Sequence, residues 1–141
     1  MAEIGSITLN KDVIKRLYDA IGRNSPADFF DLVAESHVDH SNGRNGPAGF
    51  VAAAANIHQA YSDFRIDLES LVAEGDWVVA CWHETGVHTG QFFNLKPTHK
   101  PFESWGINAY RVTDGKISES WIAVDPRTIR AQQEAQRALS E

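Results

Sequence analysis

The sequence predicts an α+β domain in which a curved antiparallel sheet forms a cone around N-terminal helices. Three observations support this fold class. Apolar residues recur at helical spacing up to residue 61, the period changes to two from Asp63 onward, and short turns join the strand-like segments. Long strands joined by short turns pair in antiparallel fashion, and a sheet curved over helices encloses a pocket.

Three helices are predicted before the sheet. In the first, apolar residues recur three and four positions apart, with Thr8 or Asn10 as the cap and Gly22 just past the end. These apolar residues are Leu9, Val13, Ile14, Leu17, Tyr18 and Ile21. Ser25 and Pro26 occupy N-cap and N1 positions of a second helix. Its apolar residues Phe29, Phe30, Leu32 and Val33 are predicted to face the core.

A short extended segment, His37 to Ser41, is predicted next, and an alanine-rich third helix covers Phe50 to Tyr61. The predicted strands are Phe64 to Ala73, Trp77 to His88, Phe102 to Val112 and Lys116 to Val124. Gly75 and Gly115 lie in the turns that join two pairs of these strands. A polar last helix runs from Pro126 to about Leu139.

Length and composition favour one soluble domain over residues 1–141. The 13 basic and 19 acidic residues give a net charge of -6 without a basic cluster, so nucleic acid is not an expected partner. No apolar stretch is long enough to span a membrane, and the N-terminus lacks the apolar core of a signal peptide, so the expected location is the cytoplasm. The single cysteine, Cys81, excludes an internal disulfide and is expected to be a buried, inert thiol.

The last predicted strand ends with a carboxylate near a tryptophan. Side chains alternate along a strand, so Glu119, Trp121, Ala123 and Asp125 share one face. A carboxylate against apolar surface has a raised pKa, which suits a group that takes and returns a proton. Capping of the helix that begins at Pro126 is the alternative role for Asp125, and the two roles are compatible.

The turn at Asp114 and Gly115 predicts the pairing of the last hairpin. If Thr113 pairs with Lys116, then Tyr110 opposes Glu119 and Asn108 opposes Trp121, which places Asn108 and Tyr110 on the pocket face with Asp125. The opposite face then carries Ile107, Ala109, Ile122 and Val124. Because this face is apolar enough to need cover, a homodimer formed through the outer face of the sheet is predicted.

A series of short motifs runs in order through the chain. They are Val38-Asp39-His40, Gly46 to Phe50, Ser62 to Arg65, Ala73 to Asp76, Thr85 to Gly90, Pro97-Thr98, Tyr110 to Val112, Asp114 to Ile117, and Trp121 with Asp125. In this order and spacing they resemble the SnoaL-like polyketide cyclase family. The resemblance implies the α+β cone of nuclear transport factor 2 and ketosteroid isomerase, the NTF2-like or cystatin-like α+β barrel. It covers nearly the whole chain and implies no single activity, since related proteins include aldol ring cyclases and hydroxylation components.

The resemblance supports Asp125 as the acid/base residue. His40 is expected to orient the substrate or support Asp125, although it could instead close the turn before the sheet. His88 is expected at the cavity mouth, with a plain loop histidine as the alternative. Pocket walls are assigned to Trp82, Trp105 and Trp121, which could equally be core residues. Asn108 and Tyr110 could donate hydrogen bonds to an oxyanion.

No metal or cofactor is expected. His37 and His40 flank an acidic residue, but in an extended segment they point to opposite sides. No glycine-rich phosphate loop and no Gly-x-Ser-x-Gly motif occurs.

The predicted function is therefore that of a cofactor-independent enzyme acting on an apolar, carbonyl-bearing substrate that resembles a polyketide or an aromatic precursor. Proton abstraction next to carbonyls would give an enolate that attacks a second carbonyl of the same molecule. Two alternatives stay open at this point. One is a non-catalytic module that binds a small ligand or dimerises, and the other is an isomerase, dehydratase or hydroxylase of the same fold.

Overall fold

Four helices flank the sheet in the computed structural model, which describes residues 2–140 and the side chains of residues 6–138. They are α1 (Ala2–Arg23), α2 (Pro26–Leu32), α3 (Gly46–Ala60) and α4 (Arg127–Ser140). Residues 1 and 141, the limits of the predicted domain, lie outside the described residues. No helix within residues 2–140 is long and apolar enough to cross a membrane.

The first helix starts earlier than predicted, because Thr8 and Asn10 lie inside it instead of at its start. Both residue types are tolerated within helices, so their capping preference alone does not stop one. The predicted apolar stripe is buried from Val13 to Tyr18, whereas Leu9 is 68% exposed.

The second and third helices begin with proline in the first turn. Ser25 is the N-cap residue of α2, as predicted, but its side chain makes no capping hydrogen bond. Val33 leaves this helix and starts the first strand. Helix α3 begins at Gly46, four residues before the predicted start at Phe50, because Pro47 fits the first helical turn.

The sheet has five strands: β1 (Val33–Asp39), β2 (Tyr61–Glu74), β3 (Trp77–His88), β4 (Pro101–Thr113) and β5 (Lys116–Val124). Their order is β1-β5-β4-β3-β2. Strands β2 to β5 are antiparallel, as predicted, but β1 pairs with β5 in parallel, so the sheet is mixed. The predicted extended segment at His37 is the end of β1. The fold is the α+β cone that the sequence predicts, a curved sheet over helices.

A β-bulge changes the register of the last hairpin. Thr113 pairs with Lys116 as predicted, and Val112 pairs with Ile117. Arg111 then pairs with Glu119, which leaves Ser118 as an extra residue. A shift of one residue moves every following side chain to the other face. Tyr110 therefore opposes Ser120 instead of Glu119. The predicted pairing of Asn108 with Trp121 is wrong for the same reason, since Asn108 opposes Ile122.

The main core lies between the helices and one face of the sheet, here called the inner face. Side chains from α1 and α2 pack there against alternate strand residues. Those strand residues include Val78, Ala80, Trp82, Tyr110, Val112 and Ile117. The outer face carries the exposed side chains of Val72, Trp77, Trp105 and Ile107. Cys81 alternates with Ala80 and Trp82 and is only partly buried, so the prediction of a buried thiol is wrong.

Candidate functional site

A cavity of about 360 Å³ opens between the helices and the inner face of the sheet. This volume is within the range of small-molecule sites, about 300 to 1,000 Å³. Most of its wall is apolar, with aromatic side chains from α1 and α3, from three strands and from the loop before β4. The aromatic lining residues are Tyr18, Phe50, Tyr61, Trp82, Phe92, Phe93, Phe102 and Tyr110.

Glu84 is the acidic residue of this wall. It follows Trp82 by two positions on β3 and therefore points to the same inner face. Burial among apolar groups disfavours the charged form and raises the pKa of Glu84 from 4.5 to about 7. Among the described residues, no hydrogen-bond donor or cation is paired with its carboxyl group to offset that effect. Near neutral pH the group can therefore both accept and return a proton.

Four side chains of the cavity wall form a hydrogen-bonded chain. The Trp82 indole N–H donates to Asn108 Oδ1 over 3.0 Å, which orients the amide, since an indole nitrogen only donates. The Asn108 amide then donates to the Tyr110 hydroxyl over 3.0 Å, and this hydroxyl lies 2.8 Å from that of Tyr18. All four side chains line the cavity.

The two tyrosines of this chain stay neutral and keep their hydrogens at ordinary pH. Burial raises the pKa of Tyr110 to about 12, and burial also raises the pKa of Tyr18. The pair has two hydroxyl hydrogens, and their mutual bond uses one. In the described part of the chain no acceptor takes the second, so one tyrosine O–H stays available to a ligand.

Gly106 positions the indole of Trp82. It pairs with Trp82 across β3 and β4, and the ring lies directly over the glycine. A Cβ atom at Gly106 would come within 2.0 Å of the indole Cζ2. The absence of a side chain there is what lets the ring lie flat and reach Asn108.

The structure brings three of the predicted site residues into this cavity, namely Trp82, Asn108 and Tyr110. Asp125 lies outside it, at the start of α4. Its carboxylate accepts hydrogen bonds from the backbone N–H of Arg127 at 3.0 Å and from the Arg127 guanidinium at 2.5 to 3.1 Å. These bonds hold the pKa of Asp125 below its usual range. The prediction of a raised pKa is wrong, and the capping role is the one that the contacts show.

Three further candidates, His40, Trp105 and Trp121, lie on the outer face. Trp121 does so because of the bulge at Ser118, and Trp105 because it alternates with Ser104 and Gly106 of the inner face. Trp121 stacks on His40, with ring centroids 4.6 Å apart, and His40 Nε2 lies 3.0 Å from a Glu119 carboxylate oxygen. His40 therefore does not contact Asp125. Trp105 stacks on His83 and is 39% exposed. The predicted pocket positions of Trp121 and Trp105 are wrong.

His88 is buried behind the cavity wall and does not line its mouth. Its ring packs against Tyr61 with centroids 5.3 Å apart, and its Nδ1 accepts a hydrogen bond from the Thr98 backbone N–H at 3.3 Å. Burial lowers the pKa of His88, so the neutral form is favoured. The ring is 1% exposed, and its Nε2 has no partner among the described residues.

His37 and His40, which flank an acidic residue in the sequence, lie on different faces of the sheet. His37 Nε2 lies 2.9 Å from Ser120 Oγ in the interior, and its Nδ1 accepts from the Gly46 N–H at 2.9 Å. His40 lies on the outer face. Within residues 2–140 there is no group of three His, Cys, Asp or Glu side chains that could hold a metal ion.

Sequence reasoning missed Glu84, although a signal was present. The inner-face residues of β3 are Val78, Ala80, Trp82, Glu84, Gly86 and His88. Trp82 was predicted to be a pocket wall, and an acidic residue two positions further on a strand shares its face. A carboxylate that continues an apolar strand face is a better candidate for a raised pKa than one that precedes a proline.

Comparisons with known proteins agree with this fold. The chain superimposes on IdmH from Streptomyces antibioticus, a proposed polyketide cyclase, with a TM-score of 0.76 and 26% identity, over 89% of this chain and 98% of IdmH. AclR from Streptomyces galilaeus, a proposed hydroxylase, gives 0.79 and 21%, over 91% of this chain and 82% of AclR. TsrD from Streptomyces laurentii gives 0.82 and 19%, over 91% and 96%. The last two likenesses establish the fold alone.

No curated protein sequence matches this chain. The sequence model of the SnoaL-like polyketide cyclases, however, matches residues 11–133, which is most of the chain. Together with the curved sheet over helices, this match assigns the chain: it belongs to the SnoaL-like polyketide cyclase family.

Proposed function

We propose that the protein catalyses an intramolecular aldol-type cyclisation of an apolar, carbonyl-bearing substrate, with Glu84 as the proton acceptor and donor. One observation carries this proposal: Glu84 lies in the wall of an apolar cavity of about 360 Å³, and its pKa is raised to about 7. A base whose pKa is near the working pH combines a useful ionised fraction with a strong drive to take the proton.

The reaction needs only proton transfers and carbon–carbon bond formation. The Glu84 carboxylate removes a proton from a substrate carbon between two carbonyl groups, and the electron pair of that C–H bond forms an enolate. The enolate carbon attacks a second carbonyl of the same molecule, whose oxygen becomes an alkoxide. Glu84 then returns the proton to this alkoxide, so the product has the same atoms as the substrate and the enzyme is regenerated.

The tyrosine pair is suited to the enolate oxygen. Tyr18 and Tyr110 together offer one hydroxyl hydrogen that no described residue accepts. A donor aimed into a water-poor cavity stabilises developing negative charge more than it would in water. Trp82 and Asn108 contribute by holding the Tyr110 hydroxyl in place through their own hydrogen bonds. Confinement of both carbonyls in one cavity supplies the remaining acceleration through position.

The proposal predicts a pH profile. Glu84 must be ionised to act as base, so kcat/KM should rise with pH up to about 7 and then level off. The assay is turnover of a panel of polyketone substrates between pH 5 and 9. A profile that is flat between pH 5.5 and 8.5 would contradict Glu84 as the base.

The decisive variant is Glu84→Gln, which keeps the size of the side chain but cannot take a proton at neutral pH. Turnover should fall by about 10²-fold or more while ligand binding changes little. Asp125→Asn is the matched control, because it makes the same chemical change outside the cavity, and its turnover should stay close to wild type. Tyr18→Phe should reduce kcat by about 10²-fold if its hydroxyl stabilises the enolate.

Two outcomes would overturn the assignment. Loss of turnover in Asp125→Asn with retained turnover in Glu84→Gln would restore the carboxylate that the sequence favoured. Ligand binding without turnover in either wild type or variant, across the whole panel, would favour the alternative of a binding module.

A further inference from the structure

The cavity has one cation in its described lining, Arg44, and one anion, Glu84. Arg44 lies in the loop between β1 and α3, at the end of the cavity where the exposed residues Asn42 and Phe93 also lie. Because both of these residues are exposed, this end of the cavity lies at the protein surface. The guanidinium carbon of Arg44 lies 5.5 Å from the centre of the Phe93 ring.

The backbone of this loop is held in place by a buried aspartate. Asp39, 6% exposed, accepts hydrogen bonds from the backbone N–H groups of Ser41 at 2.9 Å, Asn42 at 3.2 Å and Arg44 at 3.3 Å. Gly49 adds a second constraint, since a Cβ atom there would come within 2.2 Å of the Arg44 carbonyl oxygen. The backbone at Arg44 is therefore fixed before any ligand binds.

Within the described side chains, the Arg44 guanidinium has no partner of opposite charge. Among the described residues, no carboxylate forms an ion pair with Arg44, and Asp39 directs its oxygens to backbone N–H groups. A guanidinium at the rim of an apolar cavity is weakly hydrated and presents a planar set of donors that matches a carboxylate. The amide side chains of Asn42 and Asn56 line the same cavity.

We infer that Arg44 is an anion subsite that selects a substrate bearing a carboxylate at one end and its reacting carbonyls at the other. Only the part of this inference that concerns the reacting carbonyls of the substrate rests on the proposed function. A single guanidinium suits a monoanion such as a carboxylate better than a doubly charged phosphate, which requires more cationic donors. The substrate class is therefore an apolar polycarbonyl acid in its free form, and its ester or amide should bind less well.

Binding of matched acids and esters tests this subsite without relying on turnover. The probes are 2-naphthoate and 4-phenylbutyrate, each compared with its methyl ester, by isothermal titration calorimetry with the full chain at pH 6. At this pH both acids are ionised and most Glu84 is neutral, so the cavity carboxyl group repels them little. Wild type should bind each acid at least about tenfold more tightly than its ester. Added salt should reduce this preference.

The variant Arg44→Gln should lose the preference for the acids while its affinity for the esters changes less than about twofold. Arg65→Gln is the matched control, since the Arg65 side chain is 74% exposed, pairs with Asp67 and does not line the cavity. It should keep the wild-type preference. Thermal unfolding of both variants checks that they are folded.

Equal affinity of wild type for acids and esters, or an unchanged preference in Arg44→Gln, would overturn the subsite. Failure of all four probes to bind would overturn it too. A test in Glu84→Gln separates the subsite from the proposed reaction. If that variant turns over normally but still prefers the acids, the proposed function fails and the subsite stands. If Glu84→Gln loses turnover and wild type shows no preference for the acids, the proposed function stands and the subsite fails.

Discussion

Two carboxyl groups of this protein have opposite environments. Glu84 lies on the inner face of β3, where apolar side chains surround it and raise its pKa to about 7. Asp125 lies at the start of α4, where Arg127 surrounds its oxygens with donors and lowers its pKa. The environment of Glu84 favours its protonated form, and the environment of Asp125 favours its ionised form.

The difference shows that neighbours along the chain do not decide the chemistry of an acidic residue. Asp125 follows a strand that contains a tryptophan, yet that indole is on the outer face and the carboxylate bonds to the helix start. Glu84 has an unremarkable local sequence but shares the face of Trp82. Burial of a whole face, produced by elements far apart in sequence, is what raises a pKa.

The largest expected effect is on stability as a function of pH. The folded pKa of Glu84 is above its ordinary 4.5, so the folded state holds the proton more tightly than the unfolded state between about pH 4.5 and 7. Stability should therefore fall as pH rises through this window and level off above it. Relative to Glu84→Gln, wild type should lose about 3 kcal/mol between pH 4.5 and 8. Urea unfolding at several pH values measures this.

Asp125→Asn gives the contrasting result in the same experiment. Because the folded pKa of Asp125 is lowered, the ionised carboxylate contributes stability above the ordinary value of 3.8. That contribution should disappear as pH falls below about 3.8, and it should not change between pH 5 and 8. Identical slopes for the two variants between pH 4.5 and 7 would show that the environments do not differ as described.

A second prediction concerns the glycine beneath the cavity indole. Gly106→Ala places a methyl group where the Trp82 ring lies, so the ring must move and its bond to Asn108 should break. We expect a loss of about 1 to 3 kcal/mol in the free energy of unfolding, with a shift in tryptophan emission. Gly22→Ala is the control, since its Cβ would meet Ile66 at an ordinary 3.8 Å and should destabilise nothing. Equal stabilities of the two variants would refute the close packing.

A third prediction concerns the outer face, for which we propose a homodimer through the sheet. Ile107 is 56% exposed there, with Trp105 and Ala109 on the same face. Ile107→Glu should yield a folded monomer, because a charge would be buried in the interface. Ile122 lines the cavity instead, so Ile122→Glu should impair ligand binding and leave the dimer intact. Light scattering gives the mass, and an unchanged mass for Ile107→Glu would exclude this interface.

The strands were predictable because their limits depend on local signals. Strands β3 and β5 have the bounds that the sequence predicts, and both are next to turns with positive φ. Gly75 has a φ of 59°, and Asp114 and Gly115 have φ values of 50° and 77°. Such turns favour glycine, asparagine and aspartate, so they can be recognised from residue type. The cavity residues Trp82, Asn108 and Tyr110 were also predicted.

The faces on which residues beyond the bulge of β5 lie were not predictable by the same means. The residues of the turn at Gly115 do not indicate that Ser118 is an extra residue in β5. This one residue nevertheless places Trp121 on the outer face and Ile122 on the inner face. A bulge forms where packing of both faces against distant elements favours it. The predicted dimer face was affected in the same way, because two of its four residues line the cavity.

Local chemistry of the chain is thus enough for the fold class, since periodicity and turn residues act over a few positions and need no distant partner. Family membership follows from the order of short motifs for the same reason. Which carboxyl group lies in the cavity wall depends instead on which face the helices cover. The faces of Trp121 and Ile122 depend on the register beyond Arg111. Those are contacts between residues far apart in sequence, and a pKa responds to the resulting burial.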